Sequence, residues 1–136
     1  MSKLKETEVN IKVKLSALWA SVMSCYIYCD YFELYTPNKI DGMINGTTIF
    51  GAGDQGTLLG LSSIMLITSL MIGLCVLLPA TINRILNLVI GSLMTLMLAF
   101  LVYSAGWYFY KMYAAIETLL TLSIVWLAWQ WPKASL

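Results

Sequence analysis

Four apolar runs, at about residues 13–35, 56–78, 85–103 and 112–129, are what any fold of this chain must accommodate first. A bilayer takes roughly 20 mostly apolar residues per spanning helix. Only 11% of the 136 residues are charged and 60% are hydrophobic, with a mean hydropathy of +0.79; a soluble domain is about 25% charged. The expected fold is all-α: a polytopic membrane protein whose four transmembrane helices form one bundle and one domain over residues 1–136, with the lipid bilayer as its main partner.

The segments between the runs set the boundaries. Residues 1–14, "MSKLKETEVNIKVK", are polar and mixed in charge. Lysines before an apolar run look like a signal peptide, but no small-x-small cleavage site follows and the run is too long, so an uncleaved first span is expected. A Gly-rich connection fills residues 36–53. Within it Thr36 reads as an N-cap, Pro37 as a first helical position and Gly46 as a stop. Ile40, Met43 and Ile44 would then share one face of a short helix lying in the membrane interface, with Gly42 arguing against it. The Asn45-Gly46-Thr47 sequon acts only in a secretory pathway and is read as chance. Pro79 stops the second run, "PATINR" links it to the third, and "SAGWYFYK" links the third to the fourth.

Orientation follows from the basic residues. Lys3, Lys5, Lys12, Lys14, Arg84 and Lys133 fall on one side of a four-span chain and Lys39 and Lys111 on the other, six against two. Cytoplasmic segments carry that excess, so both termini are expected in the cytoplasm of a multi-pass inner (plasma) membrane protein. Trp126, Trp129 and Trp131 would then mark the inner interface, and Tyr103, Trp107, Tyr108 and Tyr110 the outer one.

Several functions are excluded early. The net charge is +1 with no basic tract beyond the N-terminus, which leaves nucleic-acid binding without an electrostatic basis. The chain has no histidine, the usual haem ligand, general base and triad member. Cys25, Cys29 and Cys75 show neither C-x-x-C nor zinc-ligand clustering, and read as small apolar residues. No metal site and no cofactor is expected. An enzyme ranks last, because no nucleophile–base pair or phosphate-binding loop is present.

What remains is a set of charges inside the runs: Asp30, Glu33, Lys111 and Glu117. With midpoints near Ser24 and Leu120, Asp30 lies about 9 Å and Glu33 about 13 Å toward the outside, and Glu117 roughly 5 Å and Lys111 roughly 13 Å. All four fall in the outer half, from helices running in opposite directions. Helical spacing puts Met23, Tyr26, Asp30 and Glu33 in one stripe with Trp19, and Tyr110, Tyr113, Glu117, Thr121 and Ile124 in another. Tyr26 and Tyr113 would each offer a phenol to the acid one turn away. A charge at mid-bilayer costs about 2.5–3.5 kcal/mol, so these groups should face the bundle or a water-filled vestibule. Lys111 lies on an adjacent face, within range of pairing with Glu33. In a second pattern, Gly56 with Gly60 and Ser69 with Gly73 have the small-xxx-small spacing of close helix contacts, within the chain or to another.

The stretch "DYFELYTPNK" also carries a likeness. With Asp30, Tyr31, Phe32, Glu33, Tyr35, Pro37 and Lys39, with "VKLSALWASVM" before it and with Leu78-Pro79 and Asn83 after it, the chain resembles a family of small bacterial four-span membrane proteins of uncharacterised function. The resemblance covers nearly the whole chain, rests mainly on the first motif, and implies a bacterial inner-membrane protein without implying an activity. This chain departs from the family pattern at Cys29 and Asn38, where the family carries glycine, so an altered local backbone is expected there.

Two functions compete. One is binding or transport of a small ligand, cation or proton by Asp30, Glu33, Glu117, Lys111, Tyr26 and Tyr113, with a quinone or lipid in an aromatic outer pocket as a variant. The alternative is a structural or accessory subunit, touching a second copy or a membrane partner protein through Gly56, Gly60, Ser69 and Gly73.

Overall fold

The computed structural model describes residues 7–48 and 51–132. Four long helices carry the chain: α1 (Ile11–Glu33), α3 (Gln55–Leu77), α4 (Ala80–Ser104) and α5 (Tyr108–Trp129). Between α1 and α3 lie a six-residue helix, α2 (Lys39–Ile44), and a hairpin of two-residue arms, β1 (Thr47–Thr48) and β2 (Gly51–Ala52), pairing Thr47 with Ala52 and Thr48 with Gly51. Among the described residues α3, α4 and α5 are long and apolar enough to cross a membrane, with mean hydropathies of 2.2, 2.4 and 1.5 over their best windows. They point to a membrane protein. α1 has the same 23-residue length as α3 but is less apolar, because Lys12, Lys14, Asp30 and Glu33 interrupt it.

Each long helix offers a narrow seam to the others. On α1 the buried residues are Leu15, Trp19, Val22, Tyr26 and Cys29. On α5 they are Ala114, Glu117, Thr121, Ile124 and Ala128, again stepping by threes and fours. This is the spacing of antiparallel bundles. α1 packs against α3 on one side and α5 on the other, and α5 packs against α4. The opposite faces carry leucines turned outward, such as Leu77 at 80% and Leu96 at 70% exposure. An apolar surface that extensive is lipid-facing in character.

The links are shorter than the sequence predicts. Only Leu78 and Pro79 separate α3 from α4, so "ATINR" is already helix. Pro79 takes the N-cap position with an extended ψ of 152°, and needs no N–H there. α5 likewise starts at Tyr108, four residues before the expected 112, which brings Lys111 into its first turn. Asp54 caps α3 by accepting from Thr57 N at 2.7 Å. That bond holds the Asp54 carboxyl below the usual carboxylate range. Its contribution to α3 is therefore present above the unfolded-chain pKa and lost as pH falls through the lower folded value.

Basic residues tie off two helix ends. Lys12 Nζ donates to Leu78 O at 2.6 Å, and Arg84 Nε donates to Ala128 O at 3.1 Å. Cations at C-terminal carbonyls offset the helix dipole and fill acceptors the helix cannot satisfy itself. Of the six basic residues on that side, Lys3, Lys5 and Lys133 lie outside the described residues.

The "TPNK" turn corrects the expected cap. Thr36 does not open α2; its Oγ1 donates back to Glu33 O at 2.8 Å and closes α1. The new helix begins at Lys39, two residues after the expected Pro37 and just past Asn38 with φ 63°. This is the left-handed region that glycine adopts freely and asparagine tolerates better than other residues. The departure from glycine at Asn38 therefore leaves the backbone where glycine would put it. Asn38→Gly should change stability by less than about 0.5 kcal/mol, while Asn38→Val should cost about 1–2 kcal/mol, read from unfolding titrations in mixed micelles. Gly46, at φ 69°, ends the segment as expected. Gly42 has a use too. A Cβ there would stand 2.9 Å from Thr47 Oγ1, which donates to Gly42 O at 2.7 Å. Ile40, Met43 and Ile44 are all exposed, as a helix resting on an interface requires.

Candidate functional site

The buried polar side chains fall into two layers. Toward the α3–α4 link, Trp19, Cys75, Asn83 and Asn87 are wholly buried. Trp19 Nε1 donates to Asn87 Oδ1 at 2.7 Å, and Asn87 Nδ2 donates to Asn83 Oδ1 at 2.7 Å. Asn83 Nδ2 donates to the Cys75 carbonyl, and the Cys75 thiol lies 3.4 Å from Asn87 Oδ1. The network joins α1, α3 and α4, and its amides find partners at both ends. With every partner supplied from inside, it is a structural clasp. Cys75, read from sequence as a plain apolar residue, is one of its members. A weaker polar contact, Thr95 Oγ1 to Thr121 Oγ1 at 2.9 Å, joins α4 to α5.

The second layer is different. Glu117 is 3% exposed, and its Oε1 is buried without a hydrogen-bond partner among the described residues. A carboxyl oxygen left open in a dry interior is costly, and nothing nearby closes it.

The other expected site residues do not gather around it. The buried stripe of α1 passes through Cys29 rather than Asp30, so Asp30 sits one position round the helix and is exposed. Tyr26 is buried as expected, but its hydroxyl faces Met94 Sδ at 3.9 Å and not Asp30. Glu33 pairs with Lys39 at 2.7 Å, within its own motif, and not with Lys111. Lys111 is half-buried in the first turn of α5. Tyr113 forms no bond to Glu117. It lines an open groove of about 390 Å³ between the C-terminal end of α1 and the N-terminal end of α5, with Phe32, Tyr35, Trp107 and Phe109. A bond between the Tyr31 and Tyr35 hydroxyls, 2.9 Å long, holds the Tyr35 phenol above its ordinary pKa. The single enclosed cavity for Asp30, Glu33, Lys111 and Glu117 is therefore not formed: Glu117 is in the core, Asp30 at its edge, and Glu33 in a surface ion pair.

The small-residue pairs also face outward. A Cβ added at Gly60 or Gly73 would meet nothing within 4 Å, and at Gly56 only Asp54 Oδ1 at 3.6 Å; Ser69 is exposed. The close approach inside the bundle is at Gly91 of α4, where a Cβ would stand 3.0 Å from Val125 Cγ2.

The residues that sequence reasoning passed over are Asn83, Asn87 and Gly91. They recur every four positions along one face of α4. Uncharged amides inside an apolar run, repeated at helical spacing, were the available signal.

No curated protein and no solved structure matches the chain. A family profile matches residues 2–136, nearly the full length. The chain belongs to that family, DUF6326, a family of unknown function.

Proposed function

We propose that this is a four-span inner-membrane protein whose Glu117 binds a cation or exchanges a proton from the outer half of the bundle. α1 is read as the fourth span: it matches α3 in length and its seam packs between α3 and α5. The charge bias supports cytoplasmic termini, with the α3–α4 link on the same side. The observation that carries the functional reading is the buried, unpartnered Oε1 of Glu117. An ionised carboxylate near mid-bilayer costs about 2.5–3.5 kcal/mol, and either a proton or a bound cation relieves that cost. Competition between the two at one group is how carboxylates couple binding to protonation. Asp30, exposed one position beyond the buried Cys29 of α1, is the relay toward the outer surface.

Infrared spectra of the protein in proteoliposomes, taken across pH 4–10, test this. A carboxylic C=O band that follows external pH should be present in the wild type and missing in Glu117→Gln, with Asp30→Asn altering how quickly it responds. Identical spectra for wild type and Glu117→Gln would sink the reading.

A second reading keeps one observation of its own. Gly60, Ser69 and Gly73 lie open on the outer face of α3, where another helix could approach closely. As an accessory subunit or homo-oligomer, the protein would lose its partner or its higher mass in mild detergent on Gly60→Leu; a monomer of equal mass in both forms counts against it.

A further inference from the structure

We infer that the end of the bundle formed by the α3–α4 link and the last turn of α5 is a binding surface for anionic phospholipid headgroups, with the phosphate held by Arg84. The inference does not depend on the role proposed for Glu117.

Charge sets the class of partner. At this end the described residues carry Lys12, Lys14 and Arg84 against Glu8, and three cations less one acid leaves an excess of two positive charges. The rest of the described chain holds Asp30, Glu33, Asp41, Asp54 and Glu117 against Lys39 and Lys111, so five acids less two lysines leaves three negative charges. Among the described residues the one ion pair is Glu33 with Lys39, so no carboxylate there neutralises Lys12, Lys14 or Arg84. Lys12 and Arg84 meet the last carbonyls of α3 and α5 instead. A helix C-terminus presents only about half a negative charge, so a full cation set against each leaves this end positive.

Geometry picks Arg84 as the anchor. Its Nε donates to Ala128 O at 3.1 Å and its Nη2 to Trp129 O at 3.5 Å. These bonds hold the guanidinium where α4 meets the end of α5. They use two of the group's N–H donors, and a guanidinium has five. The others have no acceptor among the described residues, and a planar fork of this kind suits a phosphate. Trp129, whose carbonyl Arg84 reaches, has an exposed side chain, as does Trp126 one turn before it. Exposed indoles collect at the headgroup level of a bilayer, which is where lipid phosphates lie. Ile85 and Val89, exposed on α4 just past Arg84, offer acyl chains an apolar wall. A free phosphate would meet the same cations but would have no use for these apolar surfaces.

Quenching of tryptophan fluorescence by brominated phosphatidylglycerol and by brominated phosphatidylcholine, with the full chain in vesicles that mix the two lipids, tests the inference. Trp107→Phe serves as the background. It leaves Trp126 and Trp129 as the exposed reporters, since Trp19 is buried. This protein should favour the glycerol lipid over the choline lipid about fivefold. Adding Arg84→Gln should remove most of that preference, and Lys14→Gln, which takes away a charge that bonds nothing described, much less of it. Arg84→Lys keeps the charge but cannot fork. It should also lose more than Lys14→Gln does, and it stands in for Arg84→Gln if that variant fails to fold. Equal quenching by the two lipids overturns the inference without any substitution near the site. Equal losses at Lys14 and Arg84 overturn it too, because they would mean diffuse attraction with no site at Arg84.

Discussion

Asn87→Ala is expected to lower the stability of the bundle by about 2–4 kcal/mol, the largest effect of any single polar substitution in the chain. The hydrophobic effect does little to hold helices together in lipid, since tails are as apolar as leucine; packing and interhelical hydrogen bonds do that work. Asn87 is where three helices meet: it accepts from Trp19 of α1, donates to Asn83 one turn back, and touches the Cys75 thiol of α3. Removing it strands the Trp19 N–H and the Asn83 carbonyl oxygen in a region with no water, at roughly 1–3 kcal/mol each. Interhelical bonds in membranes average less than that scale, about 0.6 kcal/mol with a maximum near 1.7, which is why the range stops at about 4 and not at 6. Trp19→Phe loses the donor and part of the indole's buried volume, so about 1–3 kcal/mol is expected. The two together should fall short of additivity by at least about 0.5 kcal/mol, as residues in one network do. Loss of helicity across an SDS titration in mixed micelles reads all three. A change under about 0.5 kcal/mol for Asn87→Ala would mean that the clasp contributes nothing to the assembled state.

Gly91→Leu and Gly60→Leu should part company sharply. At Gly91 even a methyl group meets Val125 Cγ2 at 3.0 Å and Ile124 Cγ2 at 3.5 Å. Gly91→Ala should therefore cost about 1 kcal/mol and Gly91→Leu about 3 kcal/mol, as α4 and α5 are pushed apart. The same pair of helices also loses reach at Thr95 and Thr121 if they separate. Gly60 has open space around it, so Gly60→Leu should move monomer stability by no more than about 0.5 kcal/mol. The same titration measures both, with size-exclusion mass alongside for Gly60→Leu. If Gly60→Leu unfolds the monomer, α3 packs differently from the arrangement described here.

The candidate site was half legible. Depth along a helix is a matter of counting: Asp30 and Glu33 come from the last turn of α1 and Lys111 from the first turn of α5, with Glu117 nearer the middle of that helix. Direction around the helix axis was not legible. Placing Asp30 in the buried stripe required choosing between it and Cys29, which are adjacent, and the packing takes Cys29. Glu33 was set against a distant lysine when one lay six residues along its own chain, because the left-handed turn at Asn38 that folds Lys39 back onto it leaves no hydropathy signal. The glycine contact was misassigned for a related reason. Small-residue spacing says that close approach is sterically open, and only a neighbouring helix decides whether it is used.

By itself, the sequence determined where helices run and where they stop. Four long apolar stretches, the stop at Pro79, and the Gly46 turn are local or axial properties, and each is governed by residues within a few positions of it. Only the tertiary structure decided which polar groups meet: Trp19 with Asn87, Lys12 with the end of α3, Glu33 with Lys39, and Glu117 Oε1 with no partner among the described residues. In a water-soluble helix an apolar stripe would have set the rotation of each element in advance. Here α3 is apolar nearly all round and the polar residues of α1 are spread about its axis, so rotation is set by side-chain fit and by a few hydrogen bonds between helices, and those exist only once the bundle has formed.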